Sequence, residues 1–246
     1  MMIRRCGVLL LGLFIGVLWS AQIACVAVEQ ATNASAKQCA AATPTPNPWT
    51  KKSPAGWWMK RHEDILAAPG RAEAQIVFIG DSITAGWDKK VWDKEYATIK
   101  ALNLGVNCDS TQHVLWRLDN GEIDGLPKLK VAVIEIGTNN EGITRDPPND
   151  IVKGVEAICG RLKQKAPQAK ILLLAIFPKG FGANKHEVAN GLIAKLADGK
   201  QIVFMDINDA LIEGKGIADR VGHLNEQGYE IWAEKMRPTL KKMMEE

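Results

Sequence analysis

Short apolar runs punctuate the chain at Ile76–Ile79, Ala101–Leu104, Val131–Ile136, Ile171–Ile176 and Ile202–Met205, each four to six residues long and rich in Val, Ile or Leu. Runs of this length without polar alternation suit strands buried on both faces. Between them lie amphipathic stretches around Trp92–Lys100, Thr111–Asn120, Ile151–Lys165 and His186–Leu196, and a last one, Glu226–Met244, closes the chain. Strand–helix alternation predicts an α/β domain in which helices cover both faces of a parallel sheet. No internal repeat is visible, and nothing marks a second domain.

The N-terminal part follows a different pattern. Arg4 and Arg5 precede an apolar run from Cys6 to Trp19, and Cys25 and Ala27 are small residues at the −3 and −1 positions of a signal-peptidase site. Residues 1–27 are therefore expected to be a secretory signal peptide, which places the mature chain outside the cell or in a periplasm. An uncleaved anchor over residues 6–28 is the alternative, opposed by the polar Ser20 and Gln22. A lipoprotein modified at Cys25 is a further one, opposed by Gln22 where such sites carry Leu. Residues 28–56 are rich in Ala, Thr, Pro, Lys and Asn, with Pro44, Pro46 and Pro48 alternating, and read as a linker ahead of a folded domain at 57–246. Asn33-Ala34-Ser35 in that linker matches a glycosylation sequon.

Composition narrows the function classes. With 246 residues, 46% of them apolar and 24% charged, the chain can bury a core and is not a disordered one. A formal charge of +3, which falls by two when Arg4 and Arg5 are removed, gives no footing for nucleic acid or an anionic membrane surface. The cysteines beyond the signal, Cys39, Cys108 and Cys159, are odd in number and irregularly spaced, so neither a disulfide framework nor a zinc site is written here.

In parallel α/β sheets ligands bind beyond the carboxyl ends of the strands, and the unusual polar residues cluster there. The first run leads into Gly80-Asp81-Ser82, the second into Gly105-Val106-Asn107-Cys108-Asp109, the third into Gly137-Thr138-Asn139-Asn140; Asp219 and His223 follow the last. Each alone is a common turn; together, at successive strand ends, they supply a hydroxyl, oxyanion donors and an acid–base pair. Of the four histidines, His62 and His186 belong to polar helix-like stretches and His113 reads as a packing residue. His223, ahead of a helix start with an acid four residues back, is the best base.

These residues resemble the SGNH (GDSL) hydrolase superfamily, and most of all the catalytic-subunit family of platelet-activating factor acetylhydrolase. The resemblance spans about residues 71–240 and is most specific at Ala101–Gly105, at Gln112–Leu118 with Asn120-Gly121-Glu122, and at Gly137–Asn140. It implies a three-layer flavodoxin-like fold with five parallel strands, and hydrolysis of a short acyl ester on a small molecule with no metal or organic cofactor. Carried over by position, Ser82 is the nucleophile and its N–H an oxyanion donor. Asn139 gives a side-chain amide to the oxyanion, and His223 is the general base. Gly80, Asp81, Gly105 and Gly137 support the motifs. No nucleic-acid partner is expected, and a homodimer is left open.

Two positions depart from that family pattern. Cys108 stands where the family has a glycine that donates an oxyanion N–H; the N–H survives, but Cys lacks the conformational freedom of Gly. Asp219 lies four residues before His223 rather than three, with Gly222 as the extra residue, so it reaches the imidazole only if the loop bulges. The expected function is an exported serine esterase cleaving acetyl-type esters of a phospholipid or saccharide. The alternative is a binding module of the same fold that Cys108 and the shifted Asp219 have disabled.

Overall fold

The computed structural model describes residues 39–48, 56–180 and 186–245, and the folded unit starts at Cys39. The expected signal peptide, anchor, lipoprotein site and sequon lie outside the described residues. Among the described residues, no helix is long and apolar enough to cross a membrane.

Among the described residues, five strands form one sheet: β1 Ile76–Gly80, β2 Ala101–Asn103, β3 Val131–Glu135, β4 Lys170–Leu174 and β5 Ile202–Met205. All neighbouring pairs are parallel, in the order β2-β1-β3-β4-β5, the flavodoxin-like arrangement. The helices are α1 Trp57–Leu66, α2 Ser82–Ala85, α3 Lys89–Glu95, α4 Thr111–Asp119, α5 Pro148–Lys165, α6 Glu187–Ile193, α7 Asn208–Glu213 and α8 Glu226–Glu245. Side chains alternate across the pleat even though the strand interiors are apolar throughout. Val77, Ile79, Ala132, Ile134, Ile171 and Leu173 face α1, α4, α5 and α6. Ile76, Phe78, Val131, Val133, Leu172 and Leu174 face α3, α7 and α8 across a layer that contains Trp87, Tyr229 and Trp232. Both faces are dry, which explains why the strands read as continuous apolar runs.

Two expectations need correction. The helix expected over Trp92–Lys100 lies at Lys89–Glu95, because Asp88 caps it by accepting from the N–H groups of Lys90 and Val91; Lys100 has φ +55 and cannot continue a helix. The linker expected over 28–56 is also too long. Residues 39–48 are packed on the domain, with Ala41 and Asn47 fully buried, the Thr111 hydroxyl donating to Ala41 O at 2.8 Å and the Thr45 N–H donating to Gln112 O at 3.1 Å. A Pro- and Thr-rich segment cannot build its own core, but it can be held by one already formed.

Candidate active site

In this topology the chain leaves β1 and β3 towards opposite faces of the sheet, opening a crevice at their carboxyl ends. Gly80 ends β1, and Asp81 follows as the N-cap of α2, its Oδ1 accepting from the Ile83 N–H at 2.9 Å. This cap sets Ser82 at the first position of α2, half-buried at the mouth of the crevice. The Tyr229 hydroxyl holds the same turn from α8 by donating to Ile83 O at 2.8 Å. Asn103 ties β2 to it, donating to Thr84 O at 2.7 Å while its own Oδ1 accepts from the Gly105 N–H. Gly105 lies so close that an added Cβ would collide with the Ala85 N.

The Ser82 hydroxyl lies 2.9 Å from His223 Nε2, and His223 Nδ1 lies 2.7 Å from Asp219 Oδ2. With Nδ1–H donating to the carboxylate, Nε2 is the acceptor that faces the serine. The four-residue spacing is accommodated by the bulge. Asp219 Oδ1 accepts from the N–H groups of Val221, Gly222 and His223 at 2.9, 3.0 and 3.1 Å, so the loop wraps its own carboxylate. Gly222 has φ +103, and a Cβ there would sit 2.8 Å from Pro178 O; only glycine meets both conditions. A bridge between Ile217 and Leu224 and the Ala218 N–H to His223 O bond close the loop's base. Partial burial works to raise the Asp219 carboxyl, but the bonds from His223 and the loop N–H groups outweigh it and hold the group below the usual carboxylate range.

Cys108 sits across the crevice with φ +62, a left-handed conformation uncommon for a residue with a Cβ. Among the described residues, neither the Ser82 N–H nor the Cys108 N–H donates to another backbone group. Burial, then the Asp109 and Asp81 charges, push the Cys108 thiol up, which disfavours a thiolate nucleophile. The next residue is anchored in the interior. Asp109 accepts from Trp58 Nε1 at 2.6 Å and from Arg117 Nε at 2.8 Å, and Arg117 also pairs with Glu122 and donates to Leu104 O; Asp109, Arg117 and Glu122 are all fully buried. Burial raises the Asp109 carboxyl and Arg117 and Trp58 oppose it, which leaves it up at about 6.

Asn139 follows β3, and its amide bridges the two strand ends, donating to Asp109 O at 2.8 Å and to Asp81 Oδ2 at 3.2 Å. Both hydrogens of this third expected oxyanion donor are thus engaged, the second by the longer bond. Gly137 and Thr138 lead into it from β3, and Asn140 turns the other way, accepting from the Thr111 N–H at 2.9 Å to cap α4. His113 is a buried packing residue as expected. Burial first, then the Arg117 charge, lower it to about 4, so its neutral Nδ1 accepts from the Ser110 N–H at 2.9 Å. His62 and His186 are also buried. Sequence reasoning missed Asn47, Asn103 and Glu135 around this site. Glu135, at the end of β3, is the one with a signal: it is the sole acid within the five apolar runs. Among the described residues, no group of His, Cys, Asp and Glu is arranged to hold a metal ion.

A flavodoxin-like sheet with a capped serine after β1, an asparagine after β3 and an acid–histidine loop ahead of the last helix defines a class of ester hydrolase. The chain belongs to the GDSL-like lipase/acylhydrolase family, whose model matches residues 78–231, and it is a carboxylic ester hydrolase. The alpha1 subunits of platelet-activating factor acetylhydrolase IB from Bos taurus and Homo sapiens are each 32% identical over 200 residues, covering 74% of this chain and 84% and 85% of theirs. Among solved structures, a GDSL-like lipase from Bacteroides thetaiotaomicron has a TM-score of 0.60 at 18% identity, covering 75% of this chain and 97% of its own. A carbohydrate esterase family 3 protein from Talaromyces cellulolyticus has a TM-score of 0.57 at 16% identity, covering 70% and 98%. At these identities the two structures show a shared fold.

Proposed function

We propose that this ester hydrolase is an exported serine esterase that removes acetyl or similarly short acyl groups. The observation that carries this reading is the unbroken run from Ser82 Oγ to His223 Nε2 at 2.9 Å and from His223 Nδ1 to Asp219 Oδ2 at 2.7 Å. As Ser82 Oγ attacks the ester carbonyl, His223 Nε2 takes its proton, and Asp219 holds the ring in the tautomer that accepts it. The N–H groups of Ser82 and Cys108 donate to the developing oxyanion, and Asn139 joins them by exchanging its longer bond to Asp81. His223 then returns the proton to the leaving alcohol, and water releases the acid from the acyl-enzyme by the same steps in reverse. The Cys108 side chain, absent where the family has Gly, narrows the space beside the acyl carbon and favours acetyl. Export rests on the signal-peptide pattern of residues 1–27.

The substrate is an acetylated phospholipid or an acetylated saccharide; the relatives are named for platelet-activating factor, and a solved structure is named for carbohydrate esters. A rapid-mixing assay with p-nitrophenyl acetate tests the reaction: a burst of nitrophenol matched to the enzyme concentration is expected. Absence of turnover and burst would favour the disabled binding module. Acetate release from platelet-activating factor against release from acetylated xylan then separates the two alcohols.

A further inference from the structure

We propose that Asn47 is a positioning residue of the oxyanion loop: its side-chain amide, donating to Cys108 O, keeps Cys108 in the left-handed conformation from which the Cys108 N–H serves the reaction. The inference rests on the serine-esterase reading. The amide nitrogen is 3.1 Å from Cys108 O and 3.4 Å from His113 Nδ1, and Asn47 is fully buried although it is 61 residues from Cys108 in the chain. The loop's other polar handles are taken by other groups. Asp109 O accepts from Asn139, the Ser110 N–H donates to His113, and the Asp109 carboxylate is held by Trp58 and Arg117, with the Asn47 side chain also bonded to it. These fix the peptide groups after Cys108; the carbonyl of Cys108 itself is held by the bond from Asn47, with His113 beside it. A glycine would take φ +62 without penalty, whereas a residue with a Cβ is drawn away from it and needs an outside hold. Asn47 can supply that hold because its segment is seated on α4, the helix that leaves this loop: Thr111 Oγ1 donates to Ala41 O and the Thr45 N–H to Gln112 O. The cysteine and the asparagine are thus two halves of one device, and a change at 108 to Gly should release the requirement at 47.

The test is a double-mutant cycle in the full chain, with Asn47→Ala and Asn47→Leu each made in the wild-type and Cys108→Gly backgrounds; Leu fills the volume but donates nothing. In the wild-type background both Asn47 variants should lower kcat about tenfold or more, with KM within about twofold, since a displaced oxyanion donor weakens the transition state rather than substrate binding. In the Cys108→Gly background the same changes should cost less than about threefold. The thermal midpoint, read on the same six proteins without any substrate, should show the same coupling: a smaller drop from Asn47→Ala when residue 108 is Gly. Equal losses in both backgrounds, in kcat and in midpoint, would overturn the inference. Full esterase activity in Ser82→Ala would instead overturn the serine reading, and is measured separately.

Discussion

Asp219 and His223 sit on a loop that holds itself together, whereas Cys108 sits on one held from outside. The first wraps four residues around one carboxylate oxygen and leaves the two side chains 44% and 39% exposed. The second is fastened by Asn47, Asn139, His113, Trp58 and Arg117, from four different stretches of chain, and its Asp109 and Arg117 are fully buried. The difference fits the tasks proposed for the two loops. A base must exchange protons with substrate and solvent and so needs local order with access. Oxyanion donors act by not moving, and their preorganisation has to be supplied by the interior. Damage to the first loop should therefore appear in catalysis, and damage to the second in stability as well.

The sharpest break in that comparison is Asp219→Asn. Loss of the orienting carboxylate mis-sets the imidazole tautomer, which in a comparable triad costs about 10⁴ in kcat, while the thermal midpoint should move little because the side chain is partly exposed. A kcat loss under about tenfold would show that Asp219 does not orient His223. Arg117→Met is the counterpart in the other loop. Removing the cation leaves Asp109 and Glu122 as unpaired buried carboxyls, and breaking such a pair costs roughly 3–5 kcal/mol, read from urea unfolding. A loss under about 1 kcal/mol would mean that the interior does not support the loop as described.

A smaller effect comes from beneath Ser82. Burial first raises both Asp81 and Glu135, and the Asp81 charge raises Glu135 further; at Asp81 the Ile83 N–H lowers the carboxyl, Asp109 raises it, and His223 and Lys179 oppose the rise. Glu135 also faces Tyr229 and accepts from the Phe177 N–H. The native state therefore keeps protons that the unfolded chain releases near pH 4, so this pair's contribution to stability falls as pH rises from about 4 through the neutral range. Glu135→Gln, which cannot ionise, should make that fall shallower; an unchanged slope of unfolding midpoint against pH would rule the pair out as its cause.

The same contrast decides what was legible in the sequence. Buried strands announce themselves as apolar runs, so all five were placed to within about two residues at either end. The acid–histidine loop is local: its parts lie within five residues, and Gly222 was visible as the position able to absorb the extra step. The order of the motifs along the chain also marked Ser82 and Asn139 as candidates, through the family resemblance. What holds the oxyanion loop was not legible, because hydrogen bonds from Asn47 and Trp58 cross 61 and 51 residues of chain and leave no periodic trace. Residues 39–48 carry the same lesson. Their composition is that of a linker, and their attachment rests on a few polar contacts and a buried alanine, to which hydrophobic patterning is blind.

The central claim is that an ester's acyl group passes through Ser82. Quenching the enzyme in acid during turnover of p-nitrophenyl acetate, then mapping peptides by mass spectrometry, tests it directly. The mass of one added acetyl group should appear on the peptide that contains Ser82 and be absent from the Ser82→Ala protein. An acetyl group on Cys108, or turnover that persists in Ser82→Ala, would contradict it.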